Sequence, residues 1–160
     1  GGHLAGTVGT LWNSPLVRET LQIPSGEDRP DGMILGYPVI TSGAYTHEDS
    51  IKFLLGEDRY QDEKEREKVS VEKLVNRDTP KAFLWHTFED DLVPVENTLK
   101  MADALRKAGV LFEMHIYPHG PHGLAICDET TVDVKENLNP YAAYVSSWVE
   151  HCIRWIREVL

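Results

Sequence analysis

Three short segments of the chain have hydrophobic patterns that are typical of β-strands. Residues 33–40 and 82–87 are almost continuously apolar, which indicates strands buried on both faces, as in a parallel sheet covered by helices. Pro38 marks the end of the first strand, because proline cannot donate to a sheet ladder. Residues 110–117 alternate apolar and polar positions, apart from Leu111, and predict a strand with one wetter face near the sheet edge.

Helical patterns lie between and around these strands. Residues 1–12 carry apolar side chains at helical spacing and a second face of glycines, which suits a helix packed tightly against a sheet. A helix is predicted over residues 95–108, with Gly109 ending it, and a last helix opens with Asn139 as N-cap and Pro140 at its first position. The apolar stripe predicted for this last helix consists of Tyr141, Val145, Trp148, Cys152, Trp155, Ile156 and Val159.

A charged segment separates the first two strands. Residues 57–68 contain six acids and four bases with the signs interleaved, which favours a solvated helix surface over a binding patch. We interpret residues 44–75 as an insertion that covers one end of the sheet. The order helix, strand, insertion, strand, helix, strand, helix is typical of a doubly wound α/β domain, and residues 1–160 are expected to form part of one such domain.

Composition excludes several classes of partner. The chain has 16 Lys and Arg against 26 Asp and Glu, which gives a formal charge of −10. Because such a surface repels polyanions, nucleic acid and an anionic membrane are not expected as partners. No apolar stretch reaches the about 18 residues that a bilayer span requires. Cys127 and Cys152 lack the spacing of a metal or redox motif and predict buried free thiols, as in a cytoplasmic protein.

Two loops carry the candidate chemistry, since function in open α/β sheets concentrates beyond the carboxyl ends of the strands. Residues 88–94 follow the second strand and contain Asp90, and residues 119–123 follow the third strand and contain His122. Consecutive parallel strands are usually neighbours, so both loops should emerge at the same edge of the sheet. A carboxylate beside an imidazole is the orienting half of a nucleophilic triad. None of the serines lies in the G-x-S-x-G context of a nucleophile.

Three motifs resemble the esterases of the α/β-hydrolase fold, particularly the acetyl esterase and acetyl-xylan-esterase-like branch. Residues 1–5 (GGHLA) match the end of the family's elbow G-x-S-A-G-G-H-L-A, on the C-terminal side of its serine. The other matches are residues 79–97, which include the D-x-x-V-P pattern beginning at Asp90, and residues 120–124, which include His122. They stand in the family's chain order and span most of the sequence.

The resemblance implies an α/β-hydrolase fold, of which this chain would be the C-terminal half of a mostly parallel sheet flanked by helices. The nucleophilic serine would lie two residues before Gly1, outside the chain, with Asp90 as the triad acid, His122 as the base and Asp91 as a neighbour of the acid. The implied activity is a serine ester hydrolase that removes acetyl or short acyl groups, with sugars or xylan oligosaccharides as the expected carriers of those groups. No cofactor or metal is implied, and this fragment alone is expected to be inactive.

Two other functions remain open. A serine peptidase of the prolyl oligopeptidase type has the same fold and motif order, and a noncatalytic binding protein of this fold would have lost a triad member. The expected partners are a small-molecule ester or acetylated carbohydrate, the N-terminal half of the same domain, and a second copy in a homo-oligomer.

Two residue patterns have alternative interpretations. The spacing of His115, His119 and His122 is compatible with a metal site, but strand alternation points His115 in another direction and no acidic or thiol ligand has matching spacing. Acids that precede Val-Pro often only cap a helix, and Asp90 or Asp91 could do so here. The elbow and the Gly-x-His-Gly loop favour catalysis for Asp90.

Overall fold

A three-stranded parallel sheet organises the computed structural model, which describes residues 1–24, 26–128, 131 and 141–160. The strands are β1 (Gly32–Gly36), β2 (Lys81–Thr87) and β3 (Phe112–Tyr117), and β2 lies in the centre. Leu35 is paired with Leu84 between β1 and β2, and Leu84 with Met114 between β2 and β3. The predicted parallel order is confirmed, and β1 ends before Pro38 as expected.

Helices lie on both faces of this sheet. Within the described residues they are α1 (Gly2–Leu11), α2 (Pro15–Leu21), α3 (Glu48–Leu55), α4 (Glu57–Tyr60), α5 (Glu63–Lys68), α6 (Val71–Leu74), α7 (Glu96–Ala108), α8 (Ala142–Val145) and α9 (Ser147–Glu158). The predicted end of α7 is confirmed, because Gly109 adopts the left-handed conformation with φ of 76° that favours glycine. Among the described residues, none of the helices has the combination of length and apolar character that a membrane span requires.

Two apolar clusters fill the space between the layers, one on each face of the sheet. One lies against α8 and α9 and includes Phe83, Trp85 and Trp155, while the other includes Leu84 and Met101 of α7. Since successive residues of a strand point to opposite faces, the run 83–85 of β2 feeds both clusters in turn. This is why the β2 segment is continuously apolar and does not alternate.

The glycine face of α1 is the face that packs, as its small size predicts. A side chain at Gly9 would overlap Met33 of β1, and a Cβ at Gly6 would lie 3.0 Å from Cγ1 of Val71. The apolar face of α1 points outward, with Leu4 69% exposed and Val8 also exposed. Close helix–strand approach therefore depends on the glycines, and the larger apolar side chains remain available to a further contact.

The charged segment folds into four short helices, α3 to α6. The helices over residues 57–68, α4 and α5, bury none of their residues and carry the surface ion pair Lys68–Glu65, which confirms the predicted solvated helix surface. Ile51 of α3 and Val71 of α6 are buried, so the segment also has an apolar underside. That residues 44–75 form an insertion remains a prediction.

The C-terminal helix differs from its prediction in two respects. It is divided into α8 and α9 at Ser146, and its stripe is narrower than expected, because Tyr141 and Ile156 are exposed while Val145 and Trp155 are buried. The predicted start at residues 139–140 lies outside the described residues.

Candidate active site

The loops after β2 and β3 meet at the carboxyl edge of the sheet. Oδ2 of Asp90 and Nδ1 of His122 are 2.7 Å apart, which is the distance of a charge-assisted hydrogen bond. The two residues are 32 positions apart in sequence, and the parallel pairing of β2 with β3 brings them together. The two residues that the sequence singled out are therefore in direct contact.

Asp90 is held by the turn after β2. Its Oδ1 accepts hydrogen bonds from the backbone amides of Leu92 at 3.1 Å and Val93 at 2.9 Å, and its side chain is fully buried. The carboxylate of Asp90 thus stabilises its own loop through Oδ1 and contacts His122 through Oδ2. Asp91, the neighbouring candidate, is exposed to solvent.

The charge of Asp90 is stabilised in spite of its burial. Burial disfavours the charged form and acts to raise the pKa of Asp90. Hydrogen bonds from His86, from the Val93 amide and from His122 outweigh burial, so the pKa of this carboxyl lies below its ordinary value. At neutral pH the group is a carboxylate, which only accepts hydrogen bonds, and Nδ1 of His122 must therefore be the donor.

His86 is a member of this site that the sequence did not single out. It lies in β2, four residues before Asp90, and its side chain has no exposed surface. Its Nε2 is 3.1 Å from Oδ2 of Asp90 and 2.9 Å from the Val93 carbonyl oxygen. A polar residue inside an otherwise apolar buried strand was the signal that could have identified it, since buried polar groups need partners.

Tyr37 is a second residue that the sequence did not identify. Its ring packs edge-on against His122, with 4.9 Å between ring centroids, and its hydroxyl accepts a hydrogen bond of 3.0 Å from the Ala125 amide. The backbone of Tyr37 has φ of 38°, an unusual conformation for a residue other than glycine. Such strain at the end of β1 is typical of a position held by its surroundings, and here it places the ring beside His122.

A cavity of about 510 Å³ opens beside these residues, and its volume lies in the range of small-molecule sites. Its wall joins the N-terminal end of the chain to the loop after β3. The lining residues that matter for the argument are Gly1, Gly2, Tyr37, His47, Leu92 and His122. Gly1 and His122 therefore line the same cavity.

The histidines proposed as an alternative metal site do not converge. His119 lies at the surface and is bonded to Glu89 at 2.9 Å, while His122 is bonded to Asp90. His115 is bonded to Glu113 of the same strand at 2.7 Å. Each imidazole thus has its own carboxylate, and the spacing does not describe one site.

A different group of potential metal ligands lies between β3 and α9. Ligand atoms of Glu113, His115 and His151 are all within 4.8 Å of one another. However, the rings of His115 and His151 are stacked, with 4.5 Å between centroids and 16° between planes. Lone pairs in nearly parallel ring planes cannot point to one ion, so coordination would require one ring to turn.

The profile of the prolyl oligopeptidase family matches residues 29–151, most of the chain. The chain belongs to the prolyl oligopeptidase family.

Two solved structures with the α/β-hydrolase fold superpose closely, so the predicted fold and resemblance are confirmed. The acetyl ester-xyloside bifunctional hydrolase of Caldicellulosiruptor lactoaceticus is 39% identical, with a TM-score of 0.76. The carboxylesterase Cest-2923 of Lactobacillus plantarum WCFS1 is 27% identical, with a TM-score of 0.78.

These relatives are longer than this member of the prolyl oligopeptidase family. The alignments cover 99% of this chain but 53% and 55% of the two solved chains. Endo-1,4-beta-xylanase B of Butyrivibrio fibrisolvens is 46% identical over 101 residues, which are 63% of this chain and 16% of that protein. The chain thus spans about half the length of the solved relatives.

Proposed function

We propose that this chain supplies the acid and the base of a serine ester hydrolase that removes acetyl or other short acyl groups from sugars or xylan-derived oligosaccharides. The observation that carries the proposal is the 2.7 Å contact between Asp90 and His122 beside a cavity that Gly1 also lines. A buried carboxylate that orients an imidazole toward an open cavity is the arrangement that nucleophilic catalysis requires. The nucleophile would be the serine two residues before Gly1.

The position of the proton on the imidazole of His122 supports this chemistry. Because Nδ1 of His122 donates to Asp90, Nε2 is the unprotonated nitrogen and can act as a base. The serine oxygen would attack the ester carbonyl while Nε2 takes its proton, and the imidazolium would return that proton to the alkoxide as the C–O bond breaks. Water would then attack the acyl-serine with the same nitrogen as base, which releases the acid and restores the serine.

The substrate class rests on the relatives and on the cavity. One relative is described as an acetyl ester-xyloside hydrolase, another as a carboxylesterase and a third as a xylanase. The cavity wall combines apolar surface with the polar side chains of His47 and Ser50. Such a mixture suits a small acyl group on a hydroxylated alcohol.

We place the rest of the catalytic domain against α1 and β1. The outer edge of β1 has no partner strand within the described residues, and Leu4 and Ile34 are exposed beside it. An open strand edge beside apolar side chains needs a cover in a soluble domain. The segment that carries the serine is the expected cover, because it continues directly into α1.

Peptide hydrolysis is the second candidate, because the family profile that matches is that of prolyl oligopeptidases. The experiment assays the full-length protein against p-nitrophenyl acetate, acetylated xylo-oligosaccharides and a proline-containing peptide anilide. Hydrolysis of both acetyl substrates without peptide cleavage is the expected result. Exclusive peptide cleavage would overturn the proposal in favour of the peptidase, and a residue other than Ser, Cys or Asp two positions before Gly1 would favour a noncatalytic protein.

A further inference from the structure

His86 has a complete set of hydrogen bonds although no part of its side chain reaches solvent. Nδ1 is 2.7 Å from the hydroxyl of Thr98 on α7, and Nε2 contacts both Asp90 and the Val93 carbonyl. Three segments of the fold therefore meet at one buried imidazole. Burial requires such partners for both ring nitrogens, and one of them, Asp90, is also the partner of His122.

The partners of His86 determine which ring nitrogen carries the proton. The carboxylate of Asp90 and the carbonyl of Val93 can only accept hydrogen bonds, so Nε2 must be the donor. In the neutral ring Nδ1 then accepts from the hydroxyl of Thr98. The acceptors at Nε2 thus fix the tautomer, and the Thr98 hydroxyl, which can donate or accept, satisfies the other nitrogen.

The carboxylate of Asp90 receives four donors in total. Its Oδ1 accepts from two backbone amides of its own loop, and its Oδ2 accepts from His86 and His122. The amides restrain one end of the carboxylate. The donor from His86 comes from the rigid central strand and restrains the other end, which is the end that faces His122.

We propose that His86 is a positioning residue, whose Nε2–H holds Oδ2 of Asp90 in the orientation that receives the N–H of His122. The catalytic consequence of this role rests on the function proposed above. The rival explanation is that Nε2–H serves the Val93 carbonyl alone and only ties the loop to β2. Both acceptors lie within hydrogen-bond distance of Nε2. The two explanations differ in whether the removal of His86 changes the titration of the Asp90 carboxyl.

The decisive experiment monitors the Asp90 carboxyl by ¹³C NMR titration in the full-length protein. His86→Leu removes the donor, and His86→Asn keeps an amide that is one bond too short to reach. His86→Gln keeps an N–H at the same number of bonds from the backbone as Nε2. His119→Leu is the matched control, because it removes an exposed histidine that is bonded to Glu89.

The Leu and Asn variants are expected to raise the pKa of Asp90, since the His86 hydrogen bond is the largest contribution that lowers it. The Gln variant and the His119 control should retain the wild-type titration. An Asp90 titration that is unchanged in a folded Leu or Asn variant overturns the proposal and favours the loop-tie explanation. Should the Leu variant not fold, the Asn and Gln pair decides alone.

Activity of the full-length protein separates this inference from the proposed function. In the Asn variant kcat for p-nitrophenyl acetate should fall roughly ten- to hundredfold with KM nearly unchanged, as expected for lost alignment, and Gln should restore most of it. A kcat loss of equal size in the Gln and Asn variants contradicts positioning. A wild-type protein without esterase activity would defeat the proposed function, whereas the NMR titration would still decide the role of His86.

Discussion

The site has two ends, one beyond β2 and β3 and one beside β1, and the residues of this chain enclose the first end more fully than the second. Beyond β2 and β3, the buried polar atoms of His86, Asp90 and Thr98 all have partners, and the contact to His122 is already formed. Beside β1, by contrast, α1 exposes Leu4 and Val8, and the strand edge has no partner within the described residues. The contact between Asp90 and His122, the proposed acid and base, is therefore preorganised by this chain, whereas the side of the cavity beside β1 is open in the described residues.

The two ends differ because the partners of Asp90 are close to it along the chain or lie on consecutive strands. Three of the four donors to Asp90 lie within four residues of it, and the fourth is delivered by the pairing of two consecutive strands. All four donors lie between β2 and the loop after β3. The edge of β1 and the outer side of α1 have no such closure within the described residues.

The largest effect is expected from the acid of the preorganised end. In the full-length protein, Asp90→Asn should lower kcat by about ten-thousandfold, the scale seen when a triad histidine loses its carboxylate. An amide can donate to Nδ1 and so favours the wrong tautomer of His122. Steady-state kinetics with p-nitrophenyl acetate measures the loss.

Asp91 provides the matched control for Asp90. It is adjacent in sequence and exposed, so Asp91→Asn should leave kcat close to that of the wild type. Equal losses in the two variants would show that the loop as a whole, and not the buried carboxylate, supports turnover. The assignment of Asp90 as the acid would then be wrong.

The open end is tested by two neighbouring residues of β1. Leu35 is 1% exposed and Ile34 is 44% exposed. In the 160-residue chain, Leu35→Ala should lower the free energy of unfolding by about 2–5 kcal/mol, and Ile34→Ala by clearly less, because exposed apolar surface contributes little. Urea denaturation measures both changes.

The same pair tests whether the face beside β1 is covered in the longer protein. If the segment before Gly1 covers Ile34, the cost of Ile34→Ala should be larger in the full-length protein than in this chain. An unchanged cost in both would place the rest of the domain elsewhere.

A smaller effect concerns the pH dependence of stability. The pKa of Asp90 is lower in the folded chain than its ordinary value of 3.8, so its charge favours folding above that pH. This contribution is lost as the pH falls through the folded pKa. The difference in unfolding free energy between the wild type and Asp90→Asn should therefore be constant near neutrality and shrink below pH 3.8, whereas the effect of Ile34→Ala should not vary with pH. A difference for Asp90→Asn that grows in acid would contradict the assignment.

The sequence located the strands from local signals, and it located the Asp90–His122 pair from the loops after those strands together with the resemblance to α/β-hydrolase esterases. Continuous apolar runs identify buried strands, and turn residues directly after them identify the loops at the carboxyl edge. Parallel pairing of consecutive strands then supplies the contact between loops. No knowledge of side-chain packing was needed for this part of the site.

His86 and Tyr37 were not predicted because their roles depend on tertiary packing. His86 follows a run of apolar residues, and although the periodicity of α7 places Thr98 on its buried stripe, nothing in the sequence pairs Thr98 with His86, twelve residues earlier. Tyr37 depends on a backbone with φ of 38° and on a hydrogen bond to Ala125, 88 residues away. The burial of the glycine face of α1 was foreseen, but the outward direction of Leu4 and Val8 shows that apolar character alone does not identify a core.

The smallest effect concerns the two thiols in the apolar cluster that lies against α8 and α9. Cys127 and Cys152 are free and buried, as predicted. Burial, with a smaller contribution from the charges of Asp128 and Glu113 respectively, raises the pKa of each thiol. Since the thiolate is the reactive form, both cysteines should react slowly with 5,5′-dithiobis(2-nitrobenzoate) in the native chain and quickly in urea.

A cysteine placed on the open face provides the contrast for these two. Val8→Cys introduces a thiol at an exposed position of α1, which should react rapidly in the 160-residue chain and slowly in the full-length protein if that face becomes covered. Rapid native labelling of Cys127 or Cys152 would show that the packing against α8 and α9 opens readily. The closed and open ends of the molecule would then differ less in solution than their packing indicates.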